Sequence, residues 1–436
     1  MTSWIYEPTP PMGGATGGAY ANTISGTGME LGAVLAREAI QNSVDAADGD
    51  NTRVRMRFVA HELRGEAKRK FVTAAGLSDM RSRLSALKLP PNNCLTDLRN
   101  EATPIRNLLV EDFRTTGLVG DWRSDQSNFR RFLLSLGDDA KLDNEKRTGG
   151  SYGYGKSVYS SNSSIALIFA YSRTRDASDR PFTLLMGCAY QHYHRSDDRS
   201  FTGRAWFGVE ETGHSSSSPI VRPFLDTEAE AYASKLGMPL RRSDELGTLV
   251  MIVDTDVALE DITRGVEDFW WPRIQDGLLE PVFVDESGRE HFAKPASRPD
   301  LRPFLEAYDI AVGRTPPIAK RSHCKEFIAF ADLRSDASAW WCFPSRSMKK
   351  TMCRRTGKIA SPSSAAPSWW SRIIEHGTPA HPNSPARSWL LPMSTRRCVY
   401  QSRQPMTNGT RKLVDFRLSR AAKSSLEQCS AAFDPT

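Results

Sequence analysis

Glu38, Asn42 and Asp45 stand in the run from Glu38 to Ala46 as a carboxylate, an amide and a second carboxylate. On a helix, spacings of i, i+4 and i+7 place them on one face. Their oxygens suit a hydrated Mg2+, an ion that prefers oxygen ligands and keeps several waters, and one carboxylate is left over to act as a base. Solvated helix faces use the same residue types, so two later stretches carry the meaning. Asp112 closes an apolar run and is followed by Thr115, Thr116 and Gly117; a carboxylate there can accept the exocyclic amine of adenine while a glycine turn lets the backbone come close to the base. Gly149, Gly150, Ser151, Gly153, Gly155 and Lys156 form the third stretch. Its backbone N–H groups can wrap phosphate oxygens, and Lys156 adds a point charge. Together, in this order, the three read as an ATP site.

The elements that must hold these groups are legible around them. Leu31, Val34, Leu35, Ala39 and Ile40 recur at helical spacing, which predicts an amphipathic helix from Met29 to Asp45. Asn107 to Val110 reads as a buried strand leading to Asp112. Gly150 to Ser157 also matches the Walker A pattern G-x-x-x-x-G-K-S, so a P-loop competes for the same residues. Such a loop should follow directly on a buried parallel strand, yet Asp143 to Thr148 is polar and the apolar run, Ser164 to Ala170, comes afterwards. Leu249 to Asp254 could supply a Walker B strand, but Gly247-Thr248 just before it fits the competing reading equally well. The P-loop reading also leaves the first two stretches unexplained.

On these residues the chain resembles the GHKL-type (Bergerat fold) ATPases, the superfamily of gyrase B subunits, large heat-shock chaperones, histidine kinases, MutL proteins and MORC proteins. Glu38 to Ala46 matches their helical motif E-x-x-x-N-x-x-D-A at every defined position. The resemblance covers about residues 13 to 256, over four ordered motifs. It implies Glu38 as general base for the attacking water, Asn42 as Mg2+ ligand and Asp45 as a neighbouring nucleotide contact. It further implies Asp112 with Gly117 at the adenine, Gly149 to Lys156 as the lid over the phosphates, and Gly247-Thr248 as the late element beside the base. One departure is clear: Arg114 stands where the family's D-x-G-x-G has a glycine, which predicts an altered loop path and weakened nucleotide binding. The expected fold is α/β, an α+β two-layer sandwich: a Bergerat-type ATP-binding domain with a mixed sheet covered by helices on one face, followed by part of a transducer-like α/β domain.

The expected organisation is a Gly-rich N-terminal arm at 1–28, the ATP-binding domain at 29–256, the start of the transducer-like domain at 257–333 and an irregular basic tail at 334–436. A helical insertion is expected around Leu77 to Leu87, ended by Pro90-Pro91. After residue 256, Leu259 to Trp271 reads as a helix, Leu278 to Asp285 as a strand, Pro299 to Ile310 as a helix and Glu326 to Asp332 as a strand. Phe269, Trp270 and Trp271 read as a packing element. From Arg334 onward the sequence has 12 Arg and 5 Lys against 5 acidic residues. The tail is therefore about +12 and the remainder about −5, so the basic character belongs to the tail. Three readings of it stand: a nucleic-acid-binding extension, a zinc module, for which Cys342, Cys353 and Cys398 lack paired spacing, and out-of-frame translation of a longer gene. The lack of helix or strand pattern and the abrupt onset favour the last.

No apolar run reaches membrane-spanning length and the N-terminus lacks a basic and apolar leader, so no membrane partner and a cytoplasmic location are expected. Cys94, Cys188 and Cys324 are scattered, which argues against a disulfide framework. His192 and His194 alternate on an expected strand from Phe182 to Tyr193 and read as surface histidines rather than metal ligands. No histidine precedes Glu38, which argues against a histidine kinase. By resemblance the cofactors are ATP and Mg2+, the ATP-bound state is a homodimer, and the client is a protein or DNA, in bacterial DNA transactions or genome defence. A regulatory nucleotide switch with little turnover is the alternative.

Overall fold

The computed structural model describes residues 4–10, 16–18, 29–49, 52–134, 157–211 and 219–315. Their strands are β1 (Ile5–Pro8), β2 (Val54–Leu63), β3 (Ile105–Phe113), β4 (Leu167–Arg175), β5 (Pro181–Tyr190), β6 (His194–Ser196), β7 (Arg199–Phe207), β8 (Val209–Glu211), β9 (Ile220–Arg222), β10 (Phe224–Leu225), β11 (Gly247–Ile252), β12 (Leu279–Val284) and β13 (Glu290–Phe292). The helices are α1 (Leu31–Asp45), α2 (Gly65–Ala74), α3 (Leu77–Ser82), α4 (Asn128–Leu133), α5 (Ser157–Ser161), α6 (Asp226–Lys235), α7 (Leu259–Gln275) and α8 (Arg302–Ala311).

One large mixed sheet runs in the order β1-β7-β5-β4-β11-β3-β2-β12-β13, with β6 on β7 and β10 on β5; β8 and β9 form a separate pair. Neighbours are antiparallel except β12, which lies parallel to β2. The parallel pair follows from α7, which carries the chain from β11 back across the sheet, as a parallel crossover requires.

Alternate residues of the central strands feed two cores. Leu108 and Val110 of β3, Ile168 and Ala170 of β4, and Val250 and Ile252 of β11 face α1 and α7. Leu109, Phe169, Leu249 and Met251 face the other way, among Phe71, Leu77, Met80 and Ala233 of α2, α3 and α6. Burial on both faces explains why β11 is buried throughout and why these strands are nearly continuous apolar runs. The expectation of helices on one face is thereby corrected: helices cover both, because the segment between β2 and β3 and the helix α6 supply a second layer. Of that layer the sequence reading anticipated α3 but not α2.

The segment after residue 256 joins this same sheet. α7 matches the expected helix and packs along α1 through Ile262, Val266 and Trp270, while β12 hydrogen-bonds to β2 from Leu279 to Val284. No break in the sheet coincides with the boundary placed at residue 256. Trp270 is buried and Trp271 meets Tyr308 of α8 edge-on at 5.5 Å, in keeping with a packing role. The expected strand from Glu326 to Asp332, the basic tail and most of the Gly-rich arm lie outside the described residues. No helix among the described residues is long and apolar enough to cross a membrane.

The long connection from β2 to β3 is organised by a lysine. Lys68 of α2 is 1% exposed, and its ammonium donates to the carbonyls of Asp97, Asn100 and Thr103, each at 2.8 Å. A buried ammonium is tolerated only when its donors are satisfied, and here it satisfies three carbonyls that belong to no strand or long helix. Lys68→Met should destabilise the protein by roughly 3 kcal/mol in urea unfolding and open residues 94–103 to proteolysis. A loss within about 0.5 kcal/mol, the range of ordinary surface changes, would refute this role.

Candidate functional site

Asp112 lies at the end of β3 on the face that looks toward α1. Its carboxylate gathers donors from three directions: the backbone N–H of Thr248 at the head of β11 donates to Oδ1 at 2.9 Å, the Thr115 hydroxyl donates to the same oxygen, and the Ser43 hydroxyl of α1 shares its proton between the Ala39 carbonyl at 3.0 Å and Oδ2 at 3.3 Å. A carboxylate offers about four acceptor positions, so a place remains on Oδ2 for an incoming donor. Part of the residue reaches the surface, but burial of the carboxyl pushes its pKa up, opposed first by the charge of Arg241 and then by the bonds from Thr115, Thr248 and Ser43.

Two glycines make this arrangement possible. Gly247 adopts φ +142°, and a Cβ on it would stand 2.3 Å from the Asp112 carbonyl oxygen and 2.7 Å from Oδ1. Gly117 adopts φ +67°, and a Cβ there would strike the Ser172 hydroxyl at 2.7 Å. That hydroxyl ties the turn to the sheet, accepting from Leu118 N–H at 3.0 Å and donating to the Gly247 carbonyl at 3.0 Å. Thr116 N–H donates to the Ala46 carbonyl at 2.8 Å, so the turn after β3 is stitched to the end of α1.

Tyr159 of α5 brings the remaining groups together. It is 4% exposed and hydrogen-bonded to the Asn42 side chain; burial pushes its phenol pKa up, and the negative charges of Asp112 and Glu38 act in the same direction. Asn42 is therefore bonded to this hydroxyl, which lies within the field of the Asp112 and Glu38 carboxylates. Glu38 is partly buried and held by the guanidinium of Arg37 beside it, with Nε to Oε1 at 2.7 Å. Asp45 is exposed, accepts from Gln41 at 2.8 Å and lies in the field of Arg273 on α7. Ser43 rather than Asp45 is thus the α1 residue bonded to the Asp112 carboxylate. Thr248 lies beside Asp112, to which its backbone N–H donates. Gly149, Gly150, Ser151, Gly153, Gly155 and Lys156 lie outside the described residues.

Arg114 takes φ +63°, the left-handed conformation that favours glycine. The loop thus keeps a glycine-like path with an arginine in it, secured by Asp48 N–H to the Arg114 carbonyl at 3.2 Å and Arg114 Nη1 to the Arg53 carbonyl at 3.2 Å.

Sequence reasoning missed Ser43, Tyr159 and Arg241. Ser43 lies inside the helical motif as an unspecified position, and Tyr159 follows the glycine-rich stretch directly; proximity was the available signal. Arg241 gave none, because it comes from an irregular stretch before β11. On the opposite face of β3, Glu111 pairs with Arg57 at 2.8 Å and burial pushes its pKa up. It lines a cleft of about 290 Å³ with Arg55, Phe113, Glu245 and Glu290.

Other candidates resolve plainly. Asp254, the possible Walker B carboxylate, accepts from Cys94 N–H at 2.6 Å, and β11 is antiparallel to both its neighbours, unlike the strands of a P-loop sheet. His194 is not a surface histidine as expected: it is 3% exposed, stacked on Phe201 at 5.5 Å, with Nδ1 3.1 Å from the His192 carbonyl. β5 ends at Tyr190, so the two histidines do not share one strand. Among the described residues no three His, Cys, Asp or Glu side chains cluster as a metal cage; an ion beside Asn42 would draw its other oxygens from phosphate and water.

No protein-family model matches the chain, and no curated protein matches it in sequence.

The buried carboxyl fixes a pH dependence. A carboxyl whose pKa is raised on folding binds its proton more tightly in the folded state, so it favours folding at acid pH and that contribution is lost as pH rises through the raised value. Asp112→Asn, which cannot ionise, should escape this loss. Its stability relative to the parent protein should rise from acid to neutral pH in thermal unfolding. A pH-independent difference would show that the carboxyl is not held this way.

Proposed function

We propose that the chain is a Mg2+-dependent ATP-binding and slowly hydrolysing module of the GHKL type. The observation that carries this reading is the Asn42 side chain bonded to Tyr159 within the field of Glu38 and Asp112, together with Thr248 N–H on the Asp112 carboxylate. Three of the segments that bear the motifs, the helix α1, the end of β3 and the head of β11, are brought together there with α5, which follows the glycine-rich stretch.

The residues fit the nucleotide. The unfilled acceptor position on Asp112 can take the exocyclic amine of adenine, and Gly247 keeps a side chain away from that carboxylate. Asn42 would hold the ion through its amide oxygen, and bound Mg2+ would neutralise phosphate charge. Glu38 orients a water for in-line attack on the γ-phosphate and takes its proton as the bond to the β–γ bridging oxygen breaks and ADP leaves; Arg37, now paired with it, must yield or turn for that step. Tyr159 holds the Asn42 amide in place. On this reading ATP-driven dimerisation that gates a protein or DNA client follows from the resemblance.

The test is Mg2+-dependent ATP binding and hydrolysis by the full chain. Glu38→Ala should keep ATP affinity within about threefold and lower turnover by roughly 100-fold or more, the scale of a lost general base. Asn42→Ala and chelation of Mg2+ should each remove turnover. Absence of ATP binding by the parent protein would refute the proposal, and unaltered turnover in Glu38→Ala would remove that residue from the role.

A further inference from the structure

We infer that Arg241 is the positioning residue that sets Asp112 to read the exocyclic amine of the base, acting through the gap left by the missing side chain of Gly247. The inference rests on the ATP-site reading above and adds a group that no motif contains. Arg241 is 7% exposed, and its Nη2 donates to the Thr248 carbonyl at 2.7 Å. Thr248 thus holds both partners, its N–H on Asp112 and its carbonyl on Arg241. The two also meet in space: a Cβ on Gly247 would lie 2.7 Å from Asp112 Oδ1 and 2.9 Å from Arg241 Nη1, so both atoms border the same small vacancy at the head of β11.

The acidic groups on the other side of Arg241 are already engaged. Glu111 is taken by Arg57 at 2.8 Å, and Glu245 accepts from Arg242 N–H at 3.1 Å. Arg241 Nε and Nη1 are buried with no hydrogen-bond partner among the described residues, and the guanidinium is braced over the Phe113 ring at 4.5 Å. A buried cation with its charge unspent by direct pairing favours the ionised form of a neighbouring carboxylate, here Asp112. Among the influences that oppose the effect of burial on Asp112, the charge of Arg241 is the largest. A carboxylate that stays ionised is an acceptor only, which is what an amine requires; a protonated carboxyl could donate as well and would discriminate poorly.

The experiment compares binding of ATP and of purine riboside 5′-triphosphate, which is ATP without the exocyclic amine, to the full chain and to Arg241→Gln and Arg241→Lys. The parent protein should prefer ATP by at least about tenfold, the scale of one charge-assisted hydrogen bond. Arg241→Gln, which can still donate to the Thr248 carbonyl but has no charge, should bring the ratio close to one, chiefly through weaker ATP binding. Arg241→Lys should keep most of the preference. In an Asp112→Asn background, Arg241→Gln should leave the ratio unchanged. Should Arg241→Gln fail to fold by circular dichroism, Arg241→Met takes its place under the same criterion. An undiminished ratio in Arg241→Gln, or equal weakening of both nucleotides, overturns the inference while the ATP-site reading stands. Failure of the parent protein to bind either nucleotide overturns both.

Discussion

A partly enclosed carboxylate needs donors, and meeting that need organises this protein. Asp112 cannot be held by its own strand, because the end of β3 offers it nothing on the α1 face. The donors come from α1, from the turn after β3 and from the head of β11. Each of those segments must then be fixed in turn: the turn by Ala46 and Ser172, and the head of β11 by its pairing with β4. The two glycines beside the carboxylate follow from the same requirement, since a side chain at either would collide with the groups that hold it. Three donors leave one of the roughly four acceptor positions of the carboxylate unfilled among the described residues.

What the sequence made legible depended on whether a residue's role is local. α1 could be read because its apolar positions repeat at helical spacing, and β3 and β11 could be read as short apolar runs. α7 and β12 were also recognisable, but their partners were not: that β12 pairs with β2 is a contact across more than two hundred residues, and no periodicity encodes it. The second helical layer was hidden for a similar reason. A strand buried on both faces is apolar throughout, and this tells a reader that it is covered without telling which elements cover it.

The same distinction runs through the site. Glu38, Asn42, Asp112 and Thr248 lie in recognisable spacing, and three of them share the neighbourhood of Tyr159. Asp45 fits the spacing and yet turns toward Gln41 and Arg273, because helical phase sets only a face, and the neighbours decide which part of that face is inside. Arg114 shows the converse. Its identity departs from the expected glycine, but its backbone does what a glycine would do, so the loop path is kept by hydrogen bonds that secure the strained residue rather than by the residue's own preference.

The parallel pairing of β12 with β2 bears on how this chain can be divided. β2 is shielded along its outer edge by β12 alone, and Phe58 is stacked on Phe283 at 5.5 Å. A fragment ending near residue 256 would carry every motif around Asp112 and lose both α7 and β12. It would bare the edge of β2 and the aromatic surface beneath it, an open template for self-association. The smallest unit that keeps the site and the covered edge of β2 therefore extends to Val284, well beyond Thr248 beside Asp112.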